Sequence, residues 1–95
     1  MKIKALDING NIKEYDTILT YHSEEYNKYY IVYTDNTYDK DDELIIYIST
    51  YNPDDIEVLV KEIEDKEEYN FIKKEINKIL LTLKNENDKL NNFTI

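Results

Sequence analysis

Asp7-Ile8-Asn9-Gly10-Asn11, with Lys2–Asp7 before it and the tyrosine-studded segments Tyr15–Tyr21 and Tyr29–Asp35 after it, decides the fold. Asn-Gly between alternating segments is a strong short-range hairpin signal. Placing Ile8-Asn9-Gly10 in a three-residue loop makes Asp7 the first residue of a type I turn and puts Gly10 in the left-handed position. That register sets Lys4 opposite Glu14 and Lys2 opposite Asp16, both opposite charges. It also sets Ile3 opposite Tyr15 and Leu6 opposite Ile12. A two-residue Asn9-Gly10 loop would put Ala5 against Glu14 and Ile3 against Asp16, so cross-strand matching favours the longer loop.

Outward from this hairpin, the second strand runs from about Ile12 to Tyr21. Simple alternation places Tyr15, Thr17, Leu19 and Tyr21 on one face and Glu14, Asp16, Ile18 and Thr20 on the other, as for a sheet covered on one side. Ser23–Lys28 is a turn. Tyr29–Asp35 and Leu44–Tyr51 are dense in Ile, Val and Tyr on both faces and read as central strands, joined by the polar loop Asn36–Glu43. Asn52-Pro53-Asp54-Asp55 breaks the pattern, because Pro53 cannot donate to a ladder and Asp favours turns. A fifth strand, Ile56–Ile63, follows. Asp65 with Glu68 three residues on is an Asp variant of the capping box. Tyr69, Ile72, Ile76, Ile79, Leu80 and Leu83 then make an apolar stripe of helical period.

The expected fold is therefore α+β: an antiparallel four- to five-stranded meander covered on one face by a C-terminal helix. Residues 1–83 form the single domain, and 84–95 are the helix end and a flexible tail. A second sheet face carrying Ile18, Val32 and Ile46, if exposed and apolar, would call for a partner or a homodimer.

Composition removes several kinds of function. The 95 residues contain no cysteine, so disulfides, thiolate metal sites and a cysteine nucleophile are excluded. There is no arginine, and hence no guanidinium fork for carboxylate or phosphate. His22 is the single imidazole, so no multi-histidine metal site exists. No run approaches the roughly 18 apolar residues of a membrane span, and Met1–Ala5 lacks a signal-peptide core. The expected location is the cytoplasm. The formal charge of −9 is concentrated between Asp35 and Glu68, where thirteen acids face three lysines. Such a middle repels nucleic acid and anionic membrane at long range and attracts basic partners.

An ordered series of segments carries a family resemblance: Asp7–Asn11, Glu14-Tyr15-Asp16, Tyr30–Asn36, Tyr47–Pro53 and Glu67-Glu68-Tyr69. Over roughly residues 3–83 the chain resembles the domain of unknown function 1292 family, the YrzB-like proteins of Firmicutes. The Tyr-Thr-Asp-Asn ending of the middle segment is its most specific part. Leu19, Tyr21 and Tyr69 depart from the family's usual aromatic pattern, and the residues after Leu83 look like an addition. The resemblance implies a cytoplasmic bacterial protein. It brings no catalytic residues to this chain.

The candidate sites follow. His22 beside Ser23-Glu24-Glu25 has the makings of a general base, but no nucleophile-elbow or glycine-rich signal accompanies it, and it reads as an exposed turn residue. Asp35 and Asp39–Glu43 offer oxygens for a divalent cation, but lack the central glycine of an EF-hand loop, and no metal or other cofactor is expected. Tyr15, Tyr21, Tyr33 and Tyr47 could stack bases only inside a basic groove, and read instead as packing residues.

The expected function is a non-catalytic protein-interaction or regulatory domain with a basic protein partner, no direct nucleic-acid binding and no membrane contact. Its surface is Asp39, Asp41, Asp42 and Glu43, with Tyr38 and Tyr51 as aromatic anchors. Two alternatives make different demands. A nucleic-acid mimic occupying a basic nuclease cleft needs Asp54, Asp55, Glu57, Glu62, Glu64 and Glu67 in one stripe with the loop acids. A weak metal-dependent enzyme needs Asp35, Asp39 and further carboxylates converging in a pocket.

Overall fold

The computed structural model describes residues 2–7, 9–55, 60–83 and 93–94. They form β1 (Lys2–Leu6), β2 (Ile12–Ser23), β3 (Lys28–Thr34), β4 (Leu44–Ile45), β5 (Tyr47–Thr50), α1 (Lys66–Leu83) and β6 (Phe93–Thr94). The main sheet is antiparallel in the order β1-β2-β3-β5. One helix packs on it, which is the α+β arrangement that the sequence pattern anticipates.

The first hairpin adopts the register set by charge pairing. Lys2 faces Asp16, Ile3 faces Tyr15, Lys4 faces Glu14 and Leu6 faces Ile12. Gly10 has φ +82°, a conformation that costs an L side chain energy and glycine almost none. Its N–H donates to the Asp7 carbonyl at 3.0 Å, and the Asp7 N–H donates to the Asn11 carbonyl at 2.8 Å. The Asp7 Oδ1 accepts the N–H groups of Asn9 and Asn11, each at 2.9 Å.

Alternation along β2 is interrupted, which corrects the single tyrosine face. Thr17 pairs with Tyr33 and Leu19 with Val32, so Ile18 is an extra residue in a β-bulge. A bulge leaves one residue unpaired and inverts the side-chain phase beyond it. Tyr15 thus lies on one face and Leu19 and Tyr21 on the other.

The face beyond the bulge carries the larger core: Tyr30, Val32, Leu44, Ile46, Ile48 and Ile63 pack with Ile72, Ile76 and Leu80 of α1. Val32 and Ile46, read as belonging to an open face, are therefore under the helix, with Ile18 packed at the edge. The opposite face carries Ile3, Ala5, Tyr15, Ile31 and Tyr33, with Tyr51 and Val60 against them.

The expected strand Leu44–Tyr51 is broken at Ile46. The backbone of Ile45 is taken by the preceding loop: its N–H donates to the Thr37 carbonyl at 2.9 Å, and its carbonyl accepts the Thr34 hydroxyl at 2.7 Å. β4 consequently leaves the main sheet and pairs in parallel with β6. Of the expected strand Ile56–Ile63, residues 56–59 lie outside the described residues. The remainder makes one bridge, Lys61 with Thr50, and no ladder. Ile63 turns into the core, and two residues later Asp65 starts the helix. Of the expected tail, residues 84–92 and 95 lie outside the described residues, and Phe93–Thr94 pair with Leu44–Ile45.

The helix start is half of the capping box. Asp65 Oδ2 accepts the Glu68 N–H at 3.1 Å, satisfying one orphan donor of the first turn. The Glu68 carboxylate does not reach back to Asp65; it is bound by β3, as described below. No described helix is long and apolar enough to cross a membrane.

Candidate functional site

The acidic loop is a second copy of the first turn. The Asp39 N–H donates to the Glu43 carbonyl at 2.9 Å, and the Asp42 N–H to the Asp39 carbonyl at 3.1 Å. The Asp39 Oδ1 accepts the N–H groups of Asp41 and Glu43 at 2.9 and 3.0 Å. Asp7–Asn11 makes these four bonds in the same order. Asp42, at φ +60°, stands where Gly10 stands in the first turn. Asp39 is thus the organising acceptor, and the bridge Tyr38–Leu44 closes the loop's neck.

The turn holds its charges close together. One carboxylate oxygen each from Asp39, Asp41 and Glu43 lies within 4.8 Å of the others, and none of the ion pairs among the described residues involves them. Asp41 and Asp42 are exposed, and the Tyr38 side chain is 56% exposed beside them. These three carboxylates supply part of the shell of six to eight oxygens that calcium takes. Asp35 does not join them: its Oδ1 accepts the Thr37 hydroxyl at 2.5 Å and the Thr37 N–H at 3.2 Å, while Oδ2 accepts Lys13 Nζ at 3.1 Å. Burial opposes the Asp35 charge, but the bonds from Thr37 and Lys13 outweigh it and hold the carboxyl below its ordinary range.

Tyr51 is placed elsewhere. It follows the far end of β5, whereas the acidic turn precedes β4. The Tyr51 N–H donates to the Tyr29 carbonyl at 3.1 Å. Its ring meets that of Tyr29 edge-on at 6.3 Å, and the His22 ring lies 4.6 Å from Tyr29. His22 therefore belongs to β2 and to an aromatic row, with its side chain exposed. The six expected surface residues fall in two places: Tyr38, Asp39, Asp41, Asp42 and Glu43 together, and Tyr51 apart.

The remaining tyrosines pack. Tyr15 and Tyr33 are edge-on at 5.2 Å, Tyr33 stacks on Tyr47 at 5.6 Å, and the Tyr33 hydroxyl meets Ser49 Oγ at 2.7 Å. Tyr21 lies on the helix side with Tyr30. The second group of acids is interleaved with lysines: Asp54 and Asp55 border one hollow with Lys28 and Lys61, and Glu62 and Glu64 border another with the same two lysines.

One polar group escaped the sequence reading. Glu68, at 5% exposure, accepts the Tyr30 hydroxyl at 2.5 Å and Lys28 Nζ at 3.1 Å on both oxygens. Burial and the Glu68 bond push the Tyr30 phenol well above its ordinary range. The signal present in the sequence was Glu68 itself, assigned there to capping alone.

No family model and no solved structure matches the chain. The chain is similar to the UPF0473 protein of Leuconostoc mesenteroides subsp. mesenteroides, with 32% identity over 83 residues that cover 83% of this chain and 84% of that protein. An identity of this size over most of both chains places the protein in the UPF0473 family of small bacterial proteins.

Proposed function

We propose that the protein is a non-catalytic interaction domain whose rigid acidic turn, Asp39–Glu43 with Tyr38 at its neck, takes a basic protein partner. The observation that carries this reading is the turn's geometry. The backbone amides of Asp39, Asp41, Asp42 and Glu43 are satisfied within the turn, while Asp41 and Glu43 keep carboxylates within 4.8 Å of the Asp39 carboxylate and outside the described ion pairs. Like charges held together in a fixed loop repel, and a cation from a partner relieves that repulsion. An exposed tyrosine alongside supplies the amphipathic area common at interface hot spots.

The same reading includes a cytoplasmic location and membership of the domain of unknown function 1292 family, both resting on the resemblance over residues 3–83. It also includes the absence of catalysis and of direct nucleic-acid binding. The nucleic-acid mimic is less favoured, because Lys28 and Lys61 stand among Asp54, Asp55, Glu62 and Glu64 where a mimic needs uninterrupted negative charge.

The test is capture from a native bacterial lysate, comparing wild type with the double variant Asp41→Asn/Glu43→Gln. Asp39 is kept, because it organises the turn. A basic protein retained by wild type and lost from the variant supports the proposal, provided both proteins melt alike. Equal recovery of all bound proteins by the two would assign the turn's charge to solvation and reject the reading.

A further inference from the structure

Among the described residues, the outer edge of β5 carries the single bridge Thr50–Lys61 and borders a slot. In an antiparallel ladder a strand's backbone groups point alternately to its two neighbours. Tyr51 bonds to Tyr29 of the β3 side, and Thr50 points the other way, exchanging two 2.8 Å bonds with Lys61. Ile48, two residues before Thr50, presents its N–H and C=O on that same outer side. Among the described residues nothing is bonded to them there. Glu62–Glu64 run past without forming a ladder, because Ile63 is drawn into the core and Asp65 caps α1.

The space left between is a slot of about 850 Å³, bordered by Ile45–Ser49 on one side and by Glu62–Glu64, Lys66 and Tyr69 on the other. Leu6, 68% exposed, and Tyr47, 37% exposed, stand at its border. Sheets usually protect an open edge with charge or proline. The β1 edge follows that rule with Lys2 and Lys4, but Tyr47-Ile48-Ser49-Thr50 carries no charge at all. The border is acidic instead, with Asp7, Glu62 and Glu64 against Lys66.

We propose that this slot is a strand-addition site, in which an extended, lysine-containing segment of a partner protein pairs with β5 at Ile48. Main-chain bonds would supply the attachment, alternate apolar side chains would meet Leu6 and Tyr47, and alternate lysines would meet Glu62 and Glu64. The proposal rests on the interaction reading only for the basic character of the partner. Its residues are separate from the acidic turn.

The experiment titrates the full chain, labelled for NMR, with a seven-residue peptide of alternating lysine and valine. The expected result is amide shifts centred on Tyr47–Ser49 and Glu62–Glu64, and binding weakened about three-fold or more by Glu62→Gln/Glu64→Gln. The same peptide with every amide N-methylated keeps its charge and loses its donors, so its binding should fall about ten-fold or more. Asp41→Asn/Glu43→Gln should leave the peptide affinity unchanged. Equal binding of the methylated peptide, shifts confined to Asp39–Glu43, or no binding would each overturn the proposal. So would a dimer, seen by sedimentation, whose own β5 edges occupy the slot. Shifts confined to Asp39–Glu43 would at the same time support the acidic-turn reading, which separates the two outcomes.

Discussion

The hydroxyl of Tyr30 and the carboxylate of Glu68, 38 positions apart in the chain, meet at 2.5 Å in a buried site. This bond ties the first turn of α1 to the centre of the sheet. Lys28, on the same strand as Tyr30, holds both oxygens of the carboxylate at 3.1 Å. Three side chains from two elements thus fix where the helix begins.

Glu68→Ala should cost about 2–3 kcal/mol, because it strands a buried hydroxyl and removes a charge-assisted bond. Tyr30→Phe should cost less, about 1 kcal/mol, since Glu68 keeps Lys28 as a partner. Urea unfolding of the two variants checks the order. A smaller loss for Glu68→Ala than for Tyr30→Phe would show that the carboxylate is not the hub.

The twin turns predict opposite responses to glycine. Asp42→Gly relieves a left-handed aspartate and should stabilise the fold by about 0.5 kcal/mol, after the entropy that glycine adds to the unfolded chain. Gly10→Ala places a Cβ at φ +82° and should destabilise by about 1 kcal/mol. Nothing lies within 4 Å of that Cβ position, so the loss reports backbone conformation alone. Thermal melts of both variants test the pair, and a stabilised Gly10→Ala would refute the assignment.

These turns also show what was legible beforehand. The Asp7–Asn11 turn and its register were readable because Asn-Gly and the charge pairs point to one loop length. The same turn in Asp39-Lys40-Asp41-Asp42-Glu43 was not, because aspartate stands where glycine would announce it, and the loop read as charge rather than shape. The helix and its apolar stripe followed from period and cap. The break at Ile46 did not, since it depends on Thr34 and Thr37 capturing the backbone of Ile45, bonds that no local pattern encodes. Tyr51 was grouped with the acidic loop by residue type, and chain geometry separates them.

Acid should weaken the fold through Asp35. Its folded carboxyl titrates below the ordinary value of 3.8, so its contribution is present above that pH and is lost as pH falls through the folded value. Stability measured from pH 6 down to pH 2 (about the carboxylate range) should drop, and Asp35→Asn should flatten part of that drop. A variant whose acid limb matches wild type would remove Asp35 from the account.

Alkali should act through the tyrosines. Burial raises the phenols of Tyr15, Tyr30 and Tyr33 above 10.0, with the Glu68 bond adding to Tyr30 and the Ser49 bond partly offsetting the rise at Tyr33. The folded state then holds protons that the unfolded state releases, so stability is intact below 10.0 and falls as pH rises beyond it. Phenolate absorbance should show these tyrosines ionising together with loss of helical circular dichroism. Smooth ionisation of all ten tyrosines in a still-folded protein would contradict their burial.

Ile18 gives β2 two reading frames. Before it, odd-numbered positions such as Tyr15 serve the tyrosine face; after it, odd-numbered positions such as Tyr21 serve the helix face. The strand behaves as two half-strands spliced half a period apart, each loyal to a different core. The splice is thereby carried by chain length and not by side-chain identity: a substitution at Ile18 leaves both frames in place, whereas deleting Ile18 merges them into one regular alternation in which Thr17 and Leu19 keep their faces and partners.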